Sequence, residues 1–178
     1  MRLIATDIPD LLIVESSPNH DERGYFHRLF DAAAFESANV DFTPRQSGIS
    51  HNIRAGTLRG LHYQTGRSSQ AKLVRCLRGK LFDVAVDLRP ASTTYRRWFG
   101  VELSENGHRA LFIPAGFAHG FLTIQDQTDI LYELSNAENV NEAAGVRWND
   151  PLFDIRWPGT PVVINERDAS YPDFTAGR

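Results

Sequence analysis

Between residues 58 and 134, short strand-like runs follow one another about every ten residues, with turn chemistry between them. The runs are LRGLHYQ, AKLVRCL, KLFDVAVDLR, FGVELS, RALFIP, GFLTIQ and DILYELS; the turns are RGK, RPASTT, SENGH and PAGFAHG. That spacing is the one expected of an all-β sandwich or barrel. In KLFDVAVDLR the alternation sets Phe82, Val84, Val86 and Leu88 on one face and Asp83, Ala85, Asp87 and Arg89 on the other. It marks a strand with two differently used faces.

The flanking segments add little helix. LLIVE at 11–15 reads as a strand ended by the turn-rich SSPNHDERG. Asp31 is a plausible N-cap for the one convincing helix, over 32–39. RQSGISHNIRAG reads as an extended edge or loop, and the aromatic, proline-bearing stretch from 145 to 174 as an ordered tail laid across the barrel. At 178 residues, 42% of them hydrophobic, and with no linker, the chain is expected to form one domain, residues 1–178. A net charge of −3 disfavours nucleic acid as a partner. The lone Cys76 sits in an apolar run and reads as a core residue. Asp7, Pro9 and Asp10 break the N-terminal apolar run far short of a signal or membrane helix. The cytoplasm is the expected compartment, with no membrane partner.

Chemistry gathers at residues 56–78, where Arg59, His62, Gln64 and Lys72 lie among residues of strand character. Histidine moves a proton near neutral pH and a positioned lysine neutralises a developing oxyanion, a combination suited to proton abstraction next to a carbonyl. A metal site could draw on His62, His119 and Glu102. The P-x-G-x-x-H run at 114–119 matches the second motif of cupin barrels, yet the companion H-x-H pair reads His62-Tyr63-Gln64. One ligand is missing, so no metal and no cofactor is expected. No G-x-S-x-G elbow and no glycine-rich phosphate loop is present, which leaves arginines such as Arg23 and Arg59 to hold any phosphate.

Strings across residues 20–172 share one resemblance. They are R-G-L-H-Y-Q at 59–64, Q-A-K-L-V at 70–74, D-V-A-V-D-L-R at 83–89, I-P-A-G-F-A-H-G-F at 113–121, W-N-D-P at 148–151 and E-R-D at 166–168. Together with D-E-R-G at 21–24 they resemble the dTDP-4-dehydrorhamnose 3,5-epimerase family. The resemblance implies a double-stranded β-helix of the cupin jelly-roll type with one or two short helices, a homodimer exchanging N-terminal strands, and a nucleotide diphosphate 4-keto-6-deoxy sugar as substrate. It implies His62 as the base at C3 or C5, Asp168 as the carboxylate that orients it, Lys72 at the enolate oxygen and Tyr132 as proton donor. Arg23, Phe26, Gln46, Arg59 and His119 match positions that hold nucleotide, diphosphate or sugar.

The chain departs from the family pattern at substrate recognition. Gly48 replaces the asparagine of Q-x-N-x-S, and Arg28 stands where glutamate is common. The run 136–140 reads NAENV in place of paired tyrosines before a proline. Ala143 aligns with a family glutamate that Glu142 could replace. The alternatives are a metal-dependent cupin enzyme and a non-catalytic sugar-nucleotide-binding module.

Overall fold

Strands with an apolar face need a second layer to bury it, and this chain supplies two sheets that face each other. The computed structural model describes residues 1–175. Its strands are β1 (Arg2–Ala5), β2 (Leu12–Glu15), β3 (Asn19–Asp21), β4 (Gly24–Phe26), β5 (Gln46–Asn52), β6 (Leu58–Gln64), β7 (Lys72–Arg78), β8 (Lys80–Asp87), β9 (Trp98–Ser104), β10 (Arg109–Ile113), β11 (Phe117–Thr123), β12 (Thr128–Leu134) and β13 (Ala143–Gly145). A six-stranded sheet has the order β1-β2-β10-β7-β12-β5, and a five-stranded sheet the order β13-β6-β11-β8-β9; β3 and β4 form a separate hairpin. The named strands pair antiparallel throughout. This is the expected all-β jelly roll.

Three buried clusters hold it. Between the sheets, Val74, Cys76, Leu111, Ile113 and Ile130 meet Leu81, Ala85, Leu103, Phe117 and Phe121. On the outer face of the six-stranded sheet, Phe35 of helix α1 (Ala32–Ser37) packs with Phe42, Phe112, Leu73 and Val14. On the outer face of the five-stranded sheet, Val84, Val86, Leu61 and Ala118 are covered by Val146, Phe153, Ile155 and Trp157, so the tail lies across the barrel as its aromatics suggest. Each fully buried aromatic or aliphatic side chain stabilises by about 1.5–3 kcal/mol relative to exposure.

The apolar face of β8 therefore points outward, under the tail, and its acid-bearing face points inward. Burial alone would push the Asp87 carboxyl up. Hydrogen bonds from Arg89, from Ser92 and Thr94, and from the Arg89 backbone N–H outweigh it and hold the group at about 2. Asp83 is likewise fully buried, bonded to His119.

Helix α1 starts where expected. The Asp31 carboxylate accepts from Ala33 N at 3.2 Å, but the helix ends at Ser37, before Asn39 turns to φ +56°. Five short elements had no counterpart among the runs read from the sequence. β1 exists by pairing with β2, Leu3 opposite Val14. The turn-rich 16–24 holds the β3–β4 hairpin, closed by Arg23 N donating to Asp21 Oδ1 at 2.8 Å and by Gly24 at φ +129°. β13 and helix α2 (Glu166–Ala169) complete the set. RQSGISHN becomes β5, the edge strand beside β12. Among the described residues no helix is long and apolar enough to cross a membrane.

Candidate active site

At one end of the sandwich the core gives way to a cavity of about 560 Å³, within the size range of small-molecule sites. Its lining comes from both sheets. β6 and β11 run side by side with His62 directly opposite His119, and β7 and β12 bring Lys72 and Tyr132 from the facing sheet. β5 walls the open edge, with Gly48 opposite Tyr132. A Cβ at Gly48 would meet nothing within 4 Å, so this glycine leaves the cavity open there.

The close approach of β6 to β11 is what sets the two histidines. A Cβ on Gly60 would lie 2.5 Å from the Gly120 Cα, and Gly60 sits at φ +130°, so only glycine fits. The register shifts on β11 between His119 and Phe121.

Asp168 is fully buried on α2, whose N-cap Asn165 accepts from Asp168 N at 2.7 Å. One carboxylate oxygen accepts from Gly60 N at 2.9 Å and the other lies 2.7 Å from His62 Nε2. Burial raises the Asp168 pKa, but these bonds and the Arg167 charge leave it below the ordinary carboxylate value. An ionised Asp168 can only accept, so His62 Nε2 carries the proton and the neutral ring keeps its lone pair on Nδ1. The second histidine repeats the arrangement, His119 Nε2 lying 2.7 Å from Asp83 Oδ1; burial pulls its pKa down against the pull of Asp83.

The Lys72 ammonium donates to the His62 carbonyl at 3.3 Å. Burial lowers its pKa to about 8, opposed by Glu138 and Asp83. Tyr132 is held protonated well above its usual range by burial and by the charge of Asp83, and its ring meets His119 edge-on at 5.8 Å. A lone-pair nitrogen, a cation and a protonated phenol thus converge on one cavity. Such a set can take a proton from carbon, hold the resulting oxyanion and return a proton from another direction.

Of the residues singled out from the sequence, His62, Lys72, Tyr132, Arg59, Gln46 and His119 line this cavity, and Asp168 backs His62. The Arg59 guanidinium is aimed by Asn52 Oδ1 at 2.9 Å. Arg23 pairs with Asp21 on the exposed hairpin, where Phe26 also stands exposed, and Arg28 pairs with Asp31 at 2.8 Å. These three lie outside the lining of the cavity in their own chain. The Glu142 carboxylate accepts from Ser68 N at 2.7 Å and so ties the 136–142 loop to the turn after β6.

Sequence reasoning missed Asp83, Gln70 and the pocket position of Glu138. Asp83 left a trace as an acid in a strand buried on both sides. Glu102, on the half-exposed β9, pairs with Lys80 of β8 and is not among the residues that line the cavity. Among the described residues no three His, Cys, Asp or Glu side chains gather as metal ligands.

The family model for dTDP-4-dehydrorhamnose 3,5-epimerase matches residues 5–176. A dTDP-4-dehydrorhamnose 3,5-epimerase of Shigella flexneri is 41% identical over 177 residues, covering 98% of this chain and 96% of that protein. The crystal structure of the Elizabethkingia anophelis dTDP-4-dehydrorhamnose 3,5-epimerase superposes with a TM-score of 0.93 at 37% identity, covering 98% of this chain and 96% of the other. A Legionella pneumophila dTDP-6-deoxy-D-glucose-3,5-epimerase, in complex with dTDP-4-keto-L-rhamnose, gives 0.89 at 35% identity, with 98% and 99% covered. On these matches and on the site they accompany, the chain belongs to the dTDP-4-dehydrorhamnose 3,5-epimerase family.

Proposed function

We propose that this chain epimerises a nucleotide diphosphate 4-keto-6-deoxy sugar at C3, C5 or both, the substrate type being dTDP-4-dehydro-6-deoxyglucose. The observation that carries the reading is the His62–Asp168 pair set against Lys72 and Tyr132 around one cavity. The 4-keto group acidifies both neighbouring C–H bonds, so one base and one enolate site can serve two carbons. In this reading His62 Nδ1 takes the proton and Asp168 stabilises the imidazolium that forms. Lys72 neutralises the charge that develops on the C4 oxygen. Tyr132, from the facing sheet, returns a proton to the opposite face of the carbanion; the C–H bond broken and the C–H bond formed are on the same carbon, so nothing is oxidised or reduced.

Arg59 and Gln46, near the edge strand, face the diphosphate and nucleotide. Arg23 and Phe26 stand on an exposed hairpin together with Tyr25, 62% and 65% exposed for the two aromatics Tyr25 and Phe26, which supports a homodimer in which each chain offers this hairpin to the cavity of the other. A cytoplasmic enzyme is the corresponding expectation. The test is conversion of dTDP-4-keto-6-deoxyglucose to the dTDP-4-keto-rhamnose configuration, followed by NMR, with the CDP, GDP and UDP sugars alongside. Product from the dTDP sugar is expected; no conversion of any of the four by folded protein would overturn the reading.

A further inference from the structure

Beyond His62 and Lys72 the site continues into a second, smaller cavity of about 140 Å³, lined also by Tyr63, Gln64, Gln70, Glu138 and Arg167. His62, Lys72 and Glu138 border both cavities, so Glu138 stands where the two meet. Gln70 is only 6% exposed, and its Oε1 has no hydrogen-bond partner. A buried carbonyl left without a donor is costly, and this one belongs to a residue that borders the annex.

Glu138 is held in place by its backbone. Glu138 N donates to Gln46 Oε1 at 3.2 Å, Asn136 Nδ2 to the Arg67 carbonyl at 2.8 Å, and Ser68 N to the Glu142 carboxylate. Its carboxylate can only accept once ionised, as can the Gln70 oxygen. The annex thus offers two acceptors beside the lysine. A diphosphate would be repelled by Glu138, which turns the nucleotide toward Arg59 and β5 and leaves the annex to the sugar. A third cation would be opposed by Lys72 and Arg167. An apolar substituent would leave both acceptors without a donor. A neutral hydroxyl satisfies them.

Resting on the function proposed above, we infer that Glu138, backed by Gln70, is a specificity determinant: it selects sugars carrying a free hydroxyl on the C2–C3 side of the ketone. A hydrogen bond to a charged acceptor discriminates by about 10–100-fold against an analogue that lacks the donor.

The experiment measures deuterium uptake at C5 in D₂O, as kcat/KM, for dTDP-4-keto-6-deoxyglucose and for its 2-deoxy and 3-deoxy analogues. Wild type is expected to prefer the full sugar by about 10–100-fold over at least one analogue. Glu138→Ala should bring kcat/KM for the full sugar down toward that for the analogue, closing the gap to about threefold, and Glu138→Gln should fall between. Thermal melts establish that the variants fold, as expected for an exposed loop position. Wild-type exchange without any preference, or a preference that survives Glu138→Ala, overturns the inference while the epimerase reading stands. No exchange with any of the sugars overturns that reading and this inference with it.

Discussion

Lys72 shows how a functional residue strains the fold that carries it. Its ammonium has a backbone carbonyl for a hydrogen-bond partner and burial brings its pKa to about 8, against 10.5 in a free side chain. Below pH 8 both folded and unfolded chains are protonated, and the folded chain bears the desolvation cost. Between 8 and 10.5 the unfolded chain keeps a proton that the folded one has released, so stability rises with pH across that window. Lys72→Met is therefore expected to stabilise the protein at pH 7 by about 1–3 kcal/mol, a gain that shrinks as pH climbs from 8 toward 10.5. Thermal melts across that range check it, and a lower Tm at pH 7 would contradict it. The same variant should lose at least about 10²-fold in turnover, because the oxyanion loses its cation. In the wild type, activity should decline above about pH 8 as the lysine loses its charge. His62 and Lys72 were legible in the sequence as types of residue, but Asp83 was not legible as a partner. What an inward acid holds depends on β8 lying beside β11, which no local pattern states.

At the scale of elements, the β6–β11 contact sets the site. Arg59 precedes Gly60 and His62 follows it by two residues, and the Gly60 N–H also donates to Asp168. Gly60→Ala places a methyl against the Gly120 backbone in a conformation that disfavours any side chain, and is expected to cost about 2–4 kcal/mol. It should also displace the base, so that urea unfolding and turnover fall together; a change within about 0.5 kcal/mol would show that the strands can separate freely. The strands from β6 to β12 were readable because apolar runs of five to eight residues recur about every ten residues between turn signals. β1 and the β3–β4 hairpin were not, since three or four residues have too little pattern and their pairing comes from distant partners. β5 is polar and exposed along most of its length, and its place is set by its backbone ladder to β12, Gln46 to Leu134 through Asn52 to Thr128. The register of that ladder is what puts Gly48 opposite Tyr132.

For the whole molecule, an all-β sandwich or barrel was legible through strand spacing, and the jelly roll through the shared motifs. The exposed hairpin was not, because its strands are three residues each and the turn-rich stretch around them shows no period; only the resemblance singled out Arg23 and Phe26. The proposed homodimer predicts a mass near 40 kDa by light scattering, twice the 20.0 kDa chain. Phe26→Ala should weaken nucleotide binding while His62, in the same chain, keeps its contacts. A monomer with full activity would contradict this arrangement. The central claim, proton removal beside the ketone by His62, is tested most directly in D₂O with dTDP-4-keto-6-deoxyglucose, reading deuterium at C3 and C5 by NMR and mass spectrometry. Wild type is expected to incorporate deuterium at one or both carbons, and His62→Ala, still folded and still binding dTDP, to lose incorporation by at least about 10²-fold. Undiminished exchange in His62→Ala would remove His62 from the role of base.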